Sequence, residues 1–290
     1  MSFSREIKEE LSKQISKSRH CQMAEIAALL EMEGCASMEP LSMNLETDNN
    51  LLLDTYAMLV RRAFDVDPQN PLDETVSRKM LEALKWETPN LKEQRTNGML
   101  LQQTCCRRAF LRGAFMAAGS ISDPNTKSYH FEISVRTQAQ ADQIVELMQS
   151  FDLSAKVVER KKRYVVYLKE AEQIVDMLNV MEAYVALMKL ENVRILKEMR
   201  NTVNRKVNCE TANISKTVNA AIKQVEDIRL IEKMRGLDSL PQALREMAYL
   251  RLEYPDMPLK ELGTLLDPPV GKSGVNHRLR KISAIAETLR

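Results

Sequence analysis

Pro258-Leu-Lys-Glu-Leu-Gly-Thr-Leu-Leu266, a break at Asp267-Pro268-Pro269, and Val270-Gly-Lys-Ser-Gly-Val-Asn-His-Arg-Leu-Arg-Lys-Ile282 decide how the C-terminal part of this chain folds. Before the break, Leu259, Leu262 and Leu265/Leu266 recur at helical spacing. After it, a turn of about 100° per residue gathers Val275, Leu279, Ile282, Ala286 and Leu289 on one face. Ser273, Asn276, His277, Arg280 and Lys281 fall on the opposite face. One anchored apolar stripe backed by donors and cations predicts a helix-turn-helix over residues 258–290, its second helix entering the major groove of double-stranded DNA. Asn276, His277 and Arg280 are the candidates for base edges, through an amide, an imidazole and a forked guanidinium. Lys272, Ser273, Arg278 and Lys281 are the candidates for phosphate contacts. A small helical hairpin with a solvated basic face is the plainer alternative.

Composition agrees with local, not global, nucleic-acid contact. A net charge of +2 excludes a protein that is basic throughout. Residues 270–290 nevertheless hold five Lys/Arg against one acid, Glu287. With 44% hydrophobic and 28% charged residues over 290 positions, the chain is globular and long enough for two or three domains. Only 5% of residues are aromatic and eight are glycine, a balance that leans towards helix. The five cysteines (Cys21, Cys35, Cys105, Cys106, Cys209) are odd in number and lack a CxxC pair, against a disulfide framework or a zinc finger. His20-Cys21 and Cys105-Cys106 lack metal-ligand spacing and are expected to be buried thiols, so no metal and no cofactor are expected. The charged N-terminus Met1-Ser-Phe-Ser-Arg-Glu-Ile-Lys offers no signal peptide, and no apolar run approaches the ~18 residues of a membrane span. A cytoplasmic, nucleoid-associated protein is expected, with no membrane partner.

Moving towards the N-terminus, a weak internal repeat organises the first 190 residues. The second copy is the clearer: a helix over 105–119 and a strand in which Tyr129, Phe131, Ile133 and Val135 alternate with polar residues. A helix over 139–151, a hairpin around Lys161-Lys162 and a helix over 171–181 complete it. In the first copy, residues 21–34 are helical, Leu41, Met43 and Leu45 alternate, and 50–64 and 74–86 are helical. A proline-broken loop over 65–72 stands where its hairpin should be, and a polar stretch follows at 88–97. Beyond 190 the pattern is all helix, with separate helices predicted over 193–207 and 214–228. Ser239-Leu-Pro-Gln242 predicts a capping box for a third helix, which Pro255 ends, and Asp256 is placed to cap the next. Asn201, Asn204, Asn208 and Asn213 predict a polar network at helix ends.

Ile26-Ala-Ala-Leu-Leu-Glu-Met-Glu-Gly34 aligns position by position with the LAGLIDADG motif of homing endonucleases, and Leu111-Arg-Gly-Ala-Phe-Met-Ala-Ala-Gly119 aligns more loosely. Ala27, Ala28, Gly113, Ala114 and Ala117 would let two such helices touch. With Glu191-Asn-Val-Arg194, the run Met199-Arg-Asn-Thr-Val-Asn-Arg-Lys-Val-Asn-Cys-Glu-Thr-Ala-Asn213, Lys216-Thr217 and the stretch 267–282, the sequence resembles the WhiA family over essentially its whole length. The resemblance implies an α+β, LAGLIDADG homing-endonuclease-like domain of two αβαββα-type repeats, the first degenerate, followed by an all-α helix-turn-helix domain. The boundaries are an N-terminal helix at 1–19, half-domains at 20–104 and 105–190, and a helical domain at 191–290. It also implies a DNA-binding transcriptional regulator of Gram-positive bacteria, tied to cell division, chromosome segregation or sporulation.

Catalysis is not expected. A LAGLIDADG nuclease needs an acid at the penultimate position of both motifs to hold divalent ions over the scissile phosphates. Here Glu33 faces Ala118, and Glu31 is matched by Met116. Asp123, just past the second helix, is the remaining carboxylate that could stand in. Arg136, Lys156, Arg160, Lys161, Lys162 and Arg163 could supply further phosphate contacts, although such a run is more often a solvated hairpin. Gly271-Lys-Ser-Gly274 lacks the upstream glycine of a P-loop and is placed instead to start a helix on Gly271. The expected partners are double-stranded DNA and other transcription or cell-division proteins, with no small-molecule substrate. A residual metal-dependent endonuclease and a DNA-bridging or protein-interaction adaptor are the alternatives.

Overall fold

A computed structural model describes residues 2–67, 72–86 and 94–290. The chain divides into two compact units, Met1–Lys197 and Glu198–Arg290. Among the described residues no helix is long and apolar enough to cross a membrane.

The first unit opens with α1 (Phe3–Leu11), capped by the Ser2 side chain and burying Phe3, Ile7 and Leu11 at a four-residue spacing. Next come α2 (Arg19–Glu33), β1 (Gly34–Met38), β2 (Leu41–Leu45), α3 (Asn50–Phe64) and α4 (Glu74–Leu84). The second repeat follows as α5 (Thr104–Ala118), β3 (Gly119–Ile121), β4 (Phe131–Val135), α6 (Gln138–Gln149), β5 (Lys156–Arg160), β6 (Arg163–Leu168) and α7 (Ala171–Met181). Strands β1 and β2 form an antiparallel pair with Gly34 opposite Leu45. Strands β3 to β6 form a second antiparallel sheet in the order β3-β4-β6-β5. Residues 68–71 of the expected proline loop at 65–72 and residues 88–93 of the polar stretch expected at 88–97 lie outside the described residues.

Helices α2 and α5 pack against each other at the centre, which is where the two sequence motifs lie. Ala27, Ala28, Gly113 and Ala114 are all buried at the seam. A Cβ built on Gly113 would stand 2.9 Å from the Glu25 carbonyl oxygen and 3.0 Å from Ala28 Cβ, so the two backbones leave no room for a larger side chain. Each helix ends by passing directly into a strand at its glycine. A side chain at Gly34 would lie 2.2 Å from the Leu30 carbonyl oxygen, and one at Gly119 would lie 2.2 Å from the Phe115 ring. Phe115 stacks on Phe131 of β4 with ring centroids 5.2 Å apart, which fixes the sheet to the helix. The capping box on α6 is complete, with Thr137 and Gln140 each satisfying the other's backbone.

From Tyr184 the chain runs as one helix, α8 (Tyr184–Arg235), and not as two. No glycine or proline occurs within it, so nothing in the sequence interrupts the backbone hydrogen bonds. Asn201, Asn204, Asn208 and Asn213 are exposed in its interior and cap no helix end. Met199, Val203, Val207 and Val218, whose spacing fits a buried stripe, are also exposed.

The second unit adds α9 (Gln242–Glu253), α10 (Leu259–Thr264) and α11 (Lys272–Glu287). The predicted capping box at 239–242 does not form: the Ser239 hydroxyl donates to the Gly236 carbonyl, and Pro241 occupies the N-cap of α9. Likewise Pro258, not Asp256, precedes α10. The core of this unit joins Ile228 and Ile231 of α8 and Leu244, Met247 and Ala248 of α9 to Leu262, Leu266 and the buried stripe of α11.

Candidate nucleic-acid interface

In α11, Val275, Leu279, Ile282 and Ala286 are buried, as the periodicity requires. Lys272, Ser273, His277, Arg280 and Lys281 are exposed, whereas Asn276 and Arg278 are half-buried. Arg278 donates weakly to the Ala243 carbonyl of α9 at 3.4 Å, so its guanidinium is partly engaged inside the unit. Gly271 is the N-cap, with no side-chain cap on the helix start. Its first-turn N–H groups carry the helix dipole's positive end, a setting suited to a phosphate.

The turn between α10 and α11 is held by one close backbone approach. Val270 N–H donates to the Gly263 carbonyl at 2.8 Å. A Cβ at Gly263 would lie 1.9 Å from the Val270 carbonyl oxygen, so even alanine there must push the turn apart. The α9–α10 connection is fixed by Arg251, which is buried. Its guanidinium donates to Gln224 Oε1 at 3.0 Å and to the Pro255 and Met257 carbonyls at 3.1 and 2.9 Å. Burial depresses the Arg251 pKa, and nearby Asp256 acts the other way.

A cavity of about 550 Å³ opens beside the start of α11, lined by Lys216 and Thr217 of α8, Lys260 of α10, and Lys272 and Asn276 of α11. Three ammonium groups thus converge from three helices, a positive concavity next to the exposed donors. Lys260 and Arg251 carry no helical-spacing signal, so the sequence pattern did not single them out.

At the other candidate site, Glu33 ends α2 half-buried and Ala118 ends α5. Lys8 of α1 sits beside them: burial lowers its pKa, the Glu33 charge opposes that, and its Nζ lies 5.8 Å from the Phe115 ring centroid. The acid of the first motif therefore lies within electrostatic reach of an ammonium. Asp123 is exposed and accepts from the Asn125 backbone and side chain at 2.8 and 3.0 Å, closing its own turn. On the second sheet, Arg163 is half-buried and donates to the Ser134 carbonyl at 3.2 Å. Lys156, Arg160, Lys161 and Lys162 remain exposed, and the two turn lysines hold left-handed φ values of 51° and 61°.

Fold and site together define a homing-endonuclease-like scaffold with an alanine at one of its paired acid positions, joined to a helix-turn-helix domain. Residues 107–200 match the WhiA LAGLIDADG-like domain, and residues 203–286 match the WhiA C-terminal HTH domain. The probable cell division protein WhiA of Lachnoclostridium phytofermentans is 48% identical, with 100% of both chains covered. That of Lachnospira eligens is 46% identical over 100% of this chain and 98% of its own. The chain belongs to the WhiA family. The crystal structure of full-length DUF199/WhiA from Thermatoga maritima shares the fold with a TM-score of 0.55, covering 99% of each chain at 23% identity.

Proposed function

We propose that this protein binds double-stranded DNA with sequence preference through α11, regulates transcription and does not cut DNA. The observation that carries this reading is the division of α11 into a buried aliphatic stripe and an exposed face of Lys272, Ser273, His277, Arg280 and Lys281. Arg280, His277 and Asn276 read base edges; Lys272, Ser273, Lys281 and Arg278 hold phosphates, with Lys216 and Lys260 added by the cavity they share. The name carried by the relatives supports cell division as the regulated process. Chromosome segregation and sporulation rest on the family resemblance. A role on the nucleoid in the cytoplasm follows from the DNA partner.

Arg280→Ala is expected to relax sequence preference and weaken specific binding by ~1–3 kcal/mol. Lys281→Ala is expected to weaken specific and random duplexes alike and reduce the salt slope by about one unit. Gel-shift titrations at several salt concentrations separate the two effects, and equal losses on both duplexes for Arg280→Ala overturn the base-reading role. In the same preparations, supercoiled plasmid is expected to stay intact with Mg²⁺ or Mn²⁺. Nicking abolished by Glu33→Ala overturns the non-catalytic half of the proposal.

A further inference from the structure

The seam between α2 and α5 brings together two residue pairs that lie far apart in the sequence. His20 and Cys21 occupy the first turn of α2; Cys105 and Cys106 occupy the first turn of α5. Their ligand atoms all lie within 4.8 Å of one another. His20 Nδ1 stands 3.1 Å from Cys106 Sγ and 3.3 Å from Cys21 Sγ. Cys21 and Cys106 are buried, as expected. Cys105, also expected to be buried, is exposed because it sits in the first turn of α5 on its solvent side, and His20 is exposed as well.

We infer that these four residues form a tetrahedral site for a thiophilic divalent cation of the zinc type, with three thiolates and one imidazole as ligands. Zn–S bonds of about 2.3 Å and Zn–N bonds of about 2.0–2.1 Å set ligand-to-ligand separations of about 3.5–3.8 Å, and the observed atoms bracket that range.

Two features of the surroundings favour a metallated cluster over a bare one. Neither helix start has a side-chain cap, so no capping side chain competes for the positive ends of the two helices. Three thiolates and a neutral imidazole around a dication carry one net negative charge, and two helix N-termini stabilise it. Coordination displaces one proton from each of the three thiols to solvent and leaves His20 bound through Nδ1. A disulfide would use two sulfurs and leave both the third thiol and the imidazole without a role. A cavity of about 240 Å³, lined by Ser16, Cys21, Cys105 and Arg108 among others, gives the ion an entry path.

The spacing of each pair alone could not disclose the site, because neither pair resembles a CxxC. The helix seam assembles it, and the ion in turn would pin the N-terminal end of that seam.

The test uses the full-length protein, reduced and stripped with a chelator, titrated with Co²⁺ and then Zn²⁺. One equivalent of Co²⁺ is expected to give the thiolate-to-cobalt charge-transfer band and the intense visible absorption of tetrahedral cobalt, and Zn²⁺ is expected to bleach both. Elemental analysis is expected to find one zinc per chain after reconstitution. Cys105→Ser, at an exposed position, and Cys105→Ser/Cys106→Ser are expected to lose at least about 100-fold in affinity, the upper end of what outer-shell changes alone cost. Cys209→Ser, on α8, is expected to bind as the parent does. Three outcomes overturn the site: no cobalt band in the reduced parent protein, a band that survives the double substitution, or a Cys21 disulfide in protein purified under reducing conditions.

Discussion

Replacing Arg112 with methionine is expected to cost the first unit about 3–5 kcal/mol, the penalty for leaving a buried charge without its partner. Arg112 and Glu25 are buried on facing sides of the α2–α5 seam. The guanidinium donates through Nε and Nη2 to the two Glu25 oxygens at 3.2 and 3.1 Å, and through Nη1 to Glu182 at 2.9 Å. Burial pushes the Glu25 carboxyl up, and the Arg112 charge pulls it back. Glu182 is 40% exposed at its side chain and can turn to water when its partner is lost. Glu25 has no such escape. The chain's single tryptophan, Trp86, is buried in the same unit, so its fluorescence during urea unfolding reports this unit. Arg112→Leu combined with Glu25→Leu is expected to recover most of the loss, since apolar pairs often replace buried ion pairs at little cost. A double variant as unstable as Arg112→Met would show that the loss comes from shape and not from charge.

Glu31→Gln is expected to act in the opposite direction and only at high pH. The Glu31 carboxyl is fully buried, and burial raises its pKa from 4.5 to about 8 against the pull of Thr96 and Arg95. Its Oε2 accepts from the Thr96 backbone N–H at 3.1 Å and the Thr96 hydroxyl at 2.8 Å. Its Oε1 has no hydrogen-bond partner among the described residues. The folded state therefore holds this proton more tightly than the unfolded chain, so stability falls as pH climbs from 4.5 towards about 8. At about 1.4 kcal/mol per pH unit, the loss by neutral pH is on the order of 3 kcal/mol. Glutamine carries no proton to lose and keeps an oxygen for Thr96. The variant is expected to gain about that much at pH 7, almost nothing at pH 4.5, and a flatter stability profile between them. Equal gains at both pH values would falsify the assignment.

Both residues sit inside motifs visible in the sequence, yet neither role was legible there. Glu31 is recognisable as a LAGLIDADG position in the first copy, and Arg112 as the second-copy position matched to Ala27. Pairing across the seam depends on which helix faces meet, and small residues mark that faces can meet without fixing the register. What the sequence did disclose is what depends on short range. The alternation of Phe131, Ile133 and Val135 foretold β4, and the stripe from Val275 to Ala286 foretold the buried face of α11. Strands β1 and β3 escaped notice because they begin at the glycine that ends a helix, with no turn residues between. The unbroken α8 escaped notice because polar asparagines suggest ends, while only glycine, proline or a competing cap enforces them. Lys8 was invisible for a third reason: it comes from α1, outside either repeat.

That lysine bears on what an acid at position 118 would do. Replacing Ala118 with aspartate would bring a second carboxylate to helix ends where Lys8 already feels the Glu33 charge. Two acids near one lysine ammonium leave less free negative charge for a divalent metal than two acids alone. Ala118→Asp alone is therefore expected to place its carboxylate near Lys8 and not to create a paired-acid metal seat.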